Sequence, residues 1–190
     1  MDDRPRCRWP LAHPELVHYH DHEWGLPLHD DRRHFEYLVL EAAQAGLSWW
    51  AVFRKRARYR EVFFDFDPVR VAEMGPPDVE RLLQDAGIIR NRAKILAAIH
   101  NATPFQAVQA EFGSFSRYIW DFVGGEPVRN AWTDEKQVPP RTELSDRVSA
   151  DLKRRGFKFV GSTVVYAHLQ AAGLVDDHVA HCFRKGPPPA

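Results

Sequence analysis

The sequence predicts an all-α protein, and three observations favour this class. Apolar residues recur at helical spacing through most of the 190-residue chain. Cap residues and glycines mark helix boundaries, and no two apolar segments show the period of paired strands. Residues 163–165 are β-branched and would suit a strand, but without partner strands elsewhere we predict them to be helical.

The helices follow from these signals in chain order. Phe35 begins an i, i+3, i+4, i+7 apolar stripe that predicts a helix over residues 32–46, which Gly46 ends. The others are predicted from a cap residue, an apolar stripe or a terminal glycine. They cover residues 49–63 (capped by Ser48), 68–74 (Asp67), 79–86 (Asp78), 92–102 (Asn91), 117–123 (Ser114 or Ser116), 144–155 and 163–172.

The hydrophobic content of 44% is enough for one compact domain. We expect a single domain over residues 1–190, with its core over about 7–183 and a disordered tail over 185–190. Residues 126–142 contain three prolines and no sustained period, so we predict an exposed connection there rather than a domain boundary.

The charge balance and the ends of the chain bound the function. Twenty-six basic residues match twenty-six acidic ones, which excludes a general basic field toward nucleic acid or membranes, so any nucleic-acid contact must be local. The N-terminus lacks the apolar core of a signal peptide, and no apolar run approaches the ~20 residues of a membrane helix. We therefore expect a cytoplasmic protein that does not bind membranes.

Residues 154–163 read RRGFKFVGST and join the last two predicted helices. A Gly-rich turn that opens into a helix presents unpaired backbone N–H groups, which bind phosphate even in a neutral protein. Lys158, Arg154, Arg155 and Ser162 could add side-chain contacts. An ordinary helix-helix turn with a glycine C-cap explains the same pattern, and the turn alone leaves both readings open.

Cysteines and histidines near the two ends of the chain could together bind a metal ion. His178 and Cys182 are four residues apart, so in a helix they would share one face, and Cys7 and His20 could complete a Cys2His2 set suited to zinc. Four protein ligands leave no open position, so such a zinc would be structural. Other histidines are rival ligands, and the spacing alone favours two free cysteines with solvated or core histidines, whereas a reducing cytosol disfavours a disulfide. The rivals are His18, His22 and His181.

Six separated motifs, taken in order, resemble the DNA-3-methyladenine glycosylase I family of the helix-hairpin-helix superfamily. They are CRW, YHDHEWG, LEAAQAGLSW, DAGIIRNRAKI, RGFKFVG and DDHVAHC, and the resemblance covers about residues 7–183. It implies the helix-hairpin-helix glycosylase fold, with a zinc site that joins the N- and C-terminal regions. One structural zinc ion would be held by Cys7, His20, His178 and Cys182.

The resemblance also implies the residues of a base pocket and of a DNA-binding hairpin. Glu41 matches the carboxylate that recognises the flipped base, and Trp49, Tyr19 and Trp24 match the aromatic lining. The stretch HYHDHEWG would thus serve both the zinc and the base. The phosphate-binding hairpin would comprise Gly156, Lys158, Val160 and Gly161.

The activity implied is excision of N3-methyladenine from double-stranded DNA by a monomeric, monofunctional hydrolase that leaves an abasic site. A flipped cationic base calls for aromatic faces and a carboxylate, and no Schiff-base nucleophile is evident. Two departures from the family stand out: Leu16 replaces a tyrosine, and Asp176 replaces an asparagine. Alternatives are a lesion-binding module without turnover and a zinc-dependent hydrolase of another substrate.

Overall fold

The computed structural model describes residues 3–186, and most of this range is helical, as predicted. The only strands in it, β1 (Val128–Arg129) and β2 (Val175–Asp176), are two residues long and pair in parallel. The helices in chain order are α1 (Pro14–His22), α2 (Asp31–Gln44), α3 (Trp49–Phe53), α4 (Arg56–Val62), α5 (Pro68–Ala72), α6 (Pro76–Gln84), α7 (Arg92–Phe112), α8 (Phe115–Asp121), α9 (Glu143–Arg154) and α10 (Ser162–Ala171).

Most predicted caps are confirmed. The side chains of Ser48, Asp67, Asn91 and Ser114 each accept a backbone N–H from the first turn of the helix that follows. Gly46 follows α2 with φ of +80°, a conformation that a residue without Cβ adopts readily. These signals are local, which is why the sequence reports them well.

Several helix bounds differ from the prediction. Helix α7 runs ten residues past the predicted end at residue 102 and contains Pro104, which is buried against the core. Proline has no N–H, so one backbone hydrogen bond of α7 is absent at Pro104, and packing against α5 and α2 keeps the helix continuous there. Helix α6 begins at Pro76, because Asp78 sits inside the first turn and accepts the Gly75 N–H. Helix α1, which carries most of HYHDHEWG, was not predicted.

The connection over residues 126–142 is more than an exposed loop. Its strand β1 pairs with β2, and the side chains of Asn130 and Trp132 both donate to the Asp177 carboxylate. Residues Glu135–Gln137 form a short 3-10 turn. The partner of this segment lies more than 40 residues downstream, so no local period could reveal the pairing.

The C-terminal segment after β2 is a series of turns, so the helix considered for DDHVAHC does not form. The Asp176 carboxylate accepts the N–H groups of His178 and Gly186 and pairs with Lys185. Lys185 and Gly186, which the sequence places in a disordered tail, therefore contact β2. The remaining tail residues, 187–190, lie outside the described residues.

The core lies between α2, α7, α8 and α10, where aromatic and branched side chains are fully buried. Helix α2 is buried along nearly its whole length, from His34 to Ala43. Central burial of this helix brings one of its turns to a cavity and another to a buried ion-pair network. Between residues 3 and 186, no helix is long and apolar enough to cross a membrane.

Candidate active site and metal cluster

A cavity of about 420 Å³ opens where α1, α2, α3 and α10 meet the N-terminal segment. Four aromatic side chains from residues 3–186 line it, and the acidic side chains on it are Glu41, Glu135 and Asp177. The aromatic residues are Trp9, Tyr19, Trp24 and Trp49. An apolar cavity with few polar groups is typical of a small-molecule or base pocket.

Glu41 lies on the last full turn of α2 and is only 5% exposed. In the described part of the chain, its carboxyl group has no hydrogen-bond or ion-pair partner. Burial without compensation raises the pKa of Glu41 to about 8. The pocket therefore holds a carboxyl group that gains greatly from any cationic or hydrogen-bonding guest.

Two more polar groups at the pocket lack partners among the residues the structure describes. They are the hydroxyl of Tyr19 and the indole N–H of Trp9, both buried. Burial raises the pKa of Tyr19 well above its usual value, and the nearby Tyr37 and Glu41 add to the rise. Unsatisfied buried donors are rare in folded proteins, so their presence in one cavity indicates a place for a ligand.

The aromatic wall is a packed assembly rather than a set of single rings. Tyr19 contacts Trp49 and Phe53, with ring centroids 5.8 and 4.8 Å apart. Trp9 packs edge-on against Trp24 at 5.2 Å. These side chains lock one another's rotamers, so a flat guest meets preformed faces.

Asp177 differs from Glu41 in being fully partnered. Its two oxygens accept hydrogen bonds from neutral donors on the connection and on α10, at distances of 2.5 to 2.8 Å. The donors are Asn130, Trp132, Tyr166 and Gln170. This carboxylate ties the connection to α10 and closes one side of the cavity.

Directly beside the cavity, four buried side chains converge: Cys7, His20, His178 and Cys182. Their ligand atoms all lie within 4.8 Å of one another. Cys182 Sγ is 3.4 Å from His20 Nε2 and 3.5 Å from His178 Nδ1, and Cys7 Sγ is 3.7 Å from His178 Nδ1. The two cysteines form no disulfide.

This cluster fits zinc. In a tetrahedral site with Zn–S near 2.3 Å and Zn–N near 2.0 Å, sulfur and nitrogen ligands are about 3.5 Å apart, as they are here. The adjacent Cys182 and burial raise the pKa of the Cys7 thiol, whereas Cys7 and the imidazoles of His178 and His20 lower the pKa of Cys182. Because zinc binds thiolates, a divalent cation would displace the thiol protons. The rival ligands His18, His22 and His181 lie outside the cluster.

The metal cluster and the cavity share a wall. Trp24 packs edge-on against the His178 ring at 4.6 Å, and Trp9 does the same to His20 at 5.7 Å. Gly25 has φ of +76°, and a Cβ there would lie 2.7 Å from His178 Nε2. The chain therefore needs glycine at this position to bring the tryptophan against the histidine.

Residues 9–185 match the family model described as methyladenine glycosylase. The chain belongs to the methyladenine glycosylase family. DNA-3-methyladenine glycosylase 1 of Escherichia coli (strain K12) is 48% identical over 93% of this chain and 95% of its own length. A crystal structure of a 3-methyladenine DNA glycosylase I superposes with a TM-score of 0.93, at 47% identity over 96% of this chain and all of that one.

A further structure concerns 3-methyladenine recognition by the Staphylococcus aureus 3-methyladenine DNA glycosylase I. It is 35% identical, covers 97% of this chain and 98% of that one, and has a TM-score of 0.92. The predicted fold class of this methyladenine glycosylase is thereby confirmed.

In this glycosylase, the predicted site residues fall into three places. The four predicted zinc ligands form the buried cluster. The four predicted base-pocket residues all line the 420 Å³ cavity beside it. The latter are Glu41, Trp49, Tyr19 and Trp24.

The predicted hairpin joins α9 to α10. Asn101 of α7 fixes it through two bonds to the Lys158 backbone, and His100 bonds the Gly156 carbonyl. Gly161 ends the turn, and no side chain caps the N-terminus of α10. Val160 is 2% exposed, so its side chain anchors the hairpin and only its backbone can face a ligand.

Sequence reasoning missed part of the glycosylase pocket. Trp9, Gln170 and Asp177 line the cavity, as do Glu135 and Val138 of the connection. Trp9 belongs to the CRW motif, which was a usable signal. Asp177 belongs to DDHVAHC, which was a usable signal as well, whereas Glu135 and Val138 reach the cavity through a chain pairing that no local pattern encodes.

The two departures from the family pattern lie away from the cavity lining. Leu16 is 4% exposed and packs inside the protein. Asp176 turns toward Lys185 and the C-terminal backbone. Neither residue is among those that line the cavity.

Proposed function

We infer that this chain excises 3-methyladenine from DNA by hydrolysis of the N-glycosidic bond. The observation that carries this function is the buried, unpartnered Glu41 in an aromatic pocket, within a chain of the methyladenine glycosylase family. The relatives at 48% and 35% identity are named for action on, or recognition of, this base.

Recognition follows from the charge of the lesion. Methylation at N3 makes the adenine in DNA cationic, and a cation gains from aromatic faces and from a nearby carboxylate. Tyr19, Trp24 and Trp49 supply the faces, and Glu41 supplies the carboxylate. Neutral adenine offers no charge to offset the burial of Glu41, so the pocket discriminates against it.

Catalysis needs little acid-base chemistry. The cationic base already has a weak glycosidic bond and leaves as a neutral molecule, while positive charge develops on the sugar and water attacks its anomeric carbon. By flipping the base into the pocket and holding it there, the protein gains stacking that offsets the cost of unstacking. Binding of the cationic lesion lowers the pKa of Glu41, and the ionised carboxylate then stabilises the lesion.

No lysine is among the described residues that line the cavity. A Schiff-base nucleophile would have to approach the sugar from there. We therefore propose a monofunctional enzyme that leaves an abasic site and does not cut the strand.

We further propose that the hairpin grips the phosphates of double-stranded DNA. The backbone between Gly156 and Gly161 turns directly into α10, whose N-terminal N–H groups have no side-chain cap. Such donors at a helix N-terminus attract phosphate without reading bases. Lys158 is exposed beside them and adds a positive charge.

Leu47 is our candidate for the residue that fills the gap left by the flipped base. It is 43% exposed in the turn between Gln44 and Trp49, both of which line the cavity. An apolar side chain at the mouth of a base pocket can wedge between neighbouring bases. Leu47→Ala should weaken lesion excision more than it weakens binding of the free base.

We propose that Cys7, His20, His178 and Cys182 hold one structural zinc. Zinc would supply a rigid link between the N-terminal segment, α1 and the C-terminal turns, with no position left for water. Metal removal should then lower stability and base binding together. Loss of activity in a protein that keeps its fold and stability would favour a catalytic metal instead.

The function is tested by incubating purified protein with methylated duplex DNA and separating the released bases. We expect multiple-turnover release of 3-methyladenine without strand cleavage. Glu41→Gln should abolish most of the release, whereas the exposed control Glu73→Gln should not change it. Binding of lesion DNA without any turnover would support the non-catalytic alternative, and gel filtration would check the expected monomer.

A further inference from the structure

We infer that Asp21, held by Arg6, is a positioning residue for the metal cluster: it fixes the orientation and tautomer of His20. The inference rests on the proposed zinc site and concerns groups outside its four ligands. Asp21 is 6% exposed and lies at the C-terminal end of α1, next to His20.

The hydrogen bonds assign each nitrogen of His20 a different task. Its Nδ1 lies 2.8 Å from Asp21 Oδ1, while its Nε2 points at Cys182 Sγ, 3.4 Å away. A carboxylate beside Nδ1 holds the proton on that nitrogen and leaves the lone pair of Nε2 for a metal. The carboxylate therefore selects the tautomer that can bind zinc.

Asp21 is itself fixed by a fork from Arg6. Arg6 Nε is 3.0 Å from both carboxylate oxygens, and Nη2 is 2.7 Å from Oδ2. Because Arg6 immediately precedes Cys7, this ion pair fastens the segment that supplies one thiolate to the helix that supplies an imidazole. Bidentate pairing of this kind adds directional precision as well as energy.

The second imidazole of the cluster is positioned differently. In residues 3–186, no carboxylate bonds the His178 ring, which is held by the edge-on contact with Trp24 and the close approach of Gly25. In this cluster a carboxylate therefore positions His20, and an aromatic ring positions His178. Removal of the Asp21 carboxylate should release His20 while leaving His178 in place.

The effect should extend to the base pocket. The His20 ring stacks against Trp24 with an interplanar angle of 18° and also contacts Trp9. Both tryptophans line the cavity. A loosened His20 would therefore weaken base binding through these rings whenever zinc is limiting.

The experiment measures zinc affinity by competition with a chromogenic chelator in the full chain. Asp21→Ala should bind zinc about 10 to 100 times more weakly than wild type. Asp21→Asn keeps an oxygen that can accept from His20 Nδ1, so its affinity should lie between the two. Glu15→Gln, which removes an exposed acid on the same helix, is the matched control and should not change the affinity.

The Asn variant separates positioning from simple ion pairing. Both Asp21 variants lose the charge that pairs with Arg6, but only Asp21→Asn keeps an acceptor for His20. Equal losses in the two variants would show that the ion pair alone matters and would overturn the inference, as would Asp21→Ala binding zinc like wild type. Absorption of the cobalt-loaded proteins should show four-ligand tetrahedral sites at saturating metal.

Arg6→Lys provides a further check should Asp21→Ala fail to fold. It keeps the charge, removes the fork and should weaken zinc binding modestly, whereas unchanged zinc affinity in Arg6→Lys would refute the proposal that the fork holds Asp21 in place. A wild-type protein that binds no zinc would overturn the zinc site and this inference together.

Discussion

Two glutamates five residues apart on α2 have opposite environments. Glu36 is 2% exposed and Glu41 is 5% exposed. Burial by itself would raise the pKa of Glu36, but hydrogen bonds from Arg56 and Arg60 outweigh it and hold the pKa below its usual value. Glu41 has no such partner, and burial raises its pKa to about 8.

The contrast separates stability from function on a single helix. Glu36 belongs to a network in which Arg56 also pairs with Glu23, and the Arg56 guanidinium lies 5.8 Å from the Tyr19 ring centroid. Every carboxylate in this network has an arginine partner without any ligand. Through Arg56, the network also packs against Tyr19, which lines the pocket. No side chain between residues 3 and 186 pairs with the Glu41 carboxyl group, and the proposed cationic base would supply the missing counter-charge. A buried carboxyl group without a partner is therefore a sign of a binding site.

Breaking the complete network should have the largest effect. Arg56→Met leaves the buried Glu36 and the half-buried Glu23 with fewer counter-charges, and we expect the free energy of unfolding to fall by about 4 kcal/mol. Urea unfolding at neutral pH measures this. Arg58→Met removes the surface ion pairs with Glu61 and Asp85 and should lower the free energy of unfolding far less.

The buried histidines His34 and His168 differ from the buried ion pairs of Glu36 because both imidazoles stay neutral in the folded protein. Burial lowers the pKa of His34 to about 4 and that of His168 well below its usual value. The unfolded chain then binds more protons in acid, so this stability is complete above pH 6.5 and is lost as pH falls toward 4.

For His34 the loss between pH 6.5 and 4 amounts to about 3 kcal/mol. It should appear as the difference between wild type and His34→Gln in urea unfolding at each pH, with zinc held constant. His22→Gln changes an exposed histidine and should retain the full acid loss. Parallel curves for wild type and His34→Gln would show that His34 does not remain neutral in the fold.

The sequence predicts features that depend on neighbouring residues better than features that depend on residues distant in the chain. Cap residues such as Ser48 and Asn91 act on adjacent N–H groups, so their positions were predictable. Glu41 was identified only by family resemblance, because a glutamate at the edge of an apolar stripe is usually solvated. The structure buries it where α1, α3 and α10 converge, and no local pattern specifies that packing.

The partners of Glu36 illustrate the same limit. Arg56 and Arg60 are 20 and 24 residues away in the chain, and nothing in their local sequence distinguishes them from the exposed Arg58. Strand β1 was missed for the same reason, since its partner is distant. Helix α1 was missed because the polar stretch HYHDHEWG shows no apolar stripe, its burial being due to the metal cluster and the pocket.

Removing the charge of Glu41 should raise stability while it removes function. Its pKa in the folded chain lies above the unfolded value of 4.5, so wild type loses stability as pH rises from 4.5 to about 8. Glu41→Gln does not titrate and should be more stable by about 2 kcal/mol at pH 8, since the buried amide also lacks partners and offsets part of the gain.

Urea unfolding of Glu41→Gln and wild type at pH 5 and pH 8 tests this. The variant should be less stable than wild type by about 1 to 2 kcal/mol at pH 5, where the carboxyl group is mostly protonated, and more stable at pH 8, while it binds 3-methyladenine more weakly at both. Glu73→Gln, an exposed change, should follow wild type throughout. A Glu41→Gln protein less stable than wild type at pH 8 would mean that the carboxylate has a partner in solution.

The smallest effect should come from the Tyr19 hydroxyl, a second unpartnered group of the pocket. Tyr19→Phe removes a buried donor that has no acceptor between residues 3 and 186, so stability should rise by about 1 kcal/mol. Tyr37→Phe is the matched control: its hydroxyl lies 3.0 Å from Arg33 Nη2 in the complete network, and its loss should lower stability by a similar amount. Quenching of tryptophan fluorescence by 3-methyladenine should show weaker binding for Tyr19→Phe than for Tyr37→Phe. The ring centroids of the two tyrosines are 6.3 Å apart. If the two substitutions change the free energy of unfolding in opposite directions, Tyr19 belongs to the ligand-binding groups and Tyr37 to the structural ones.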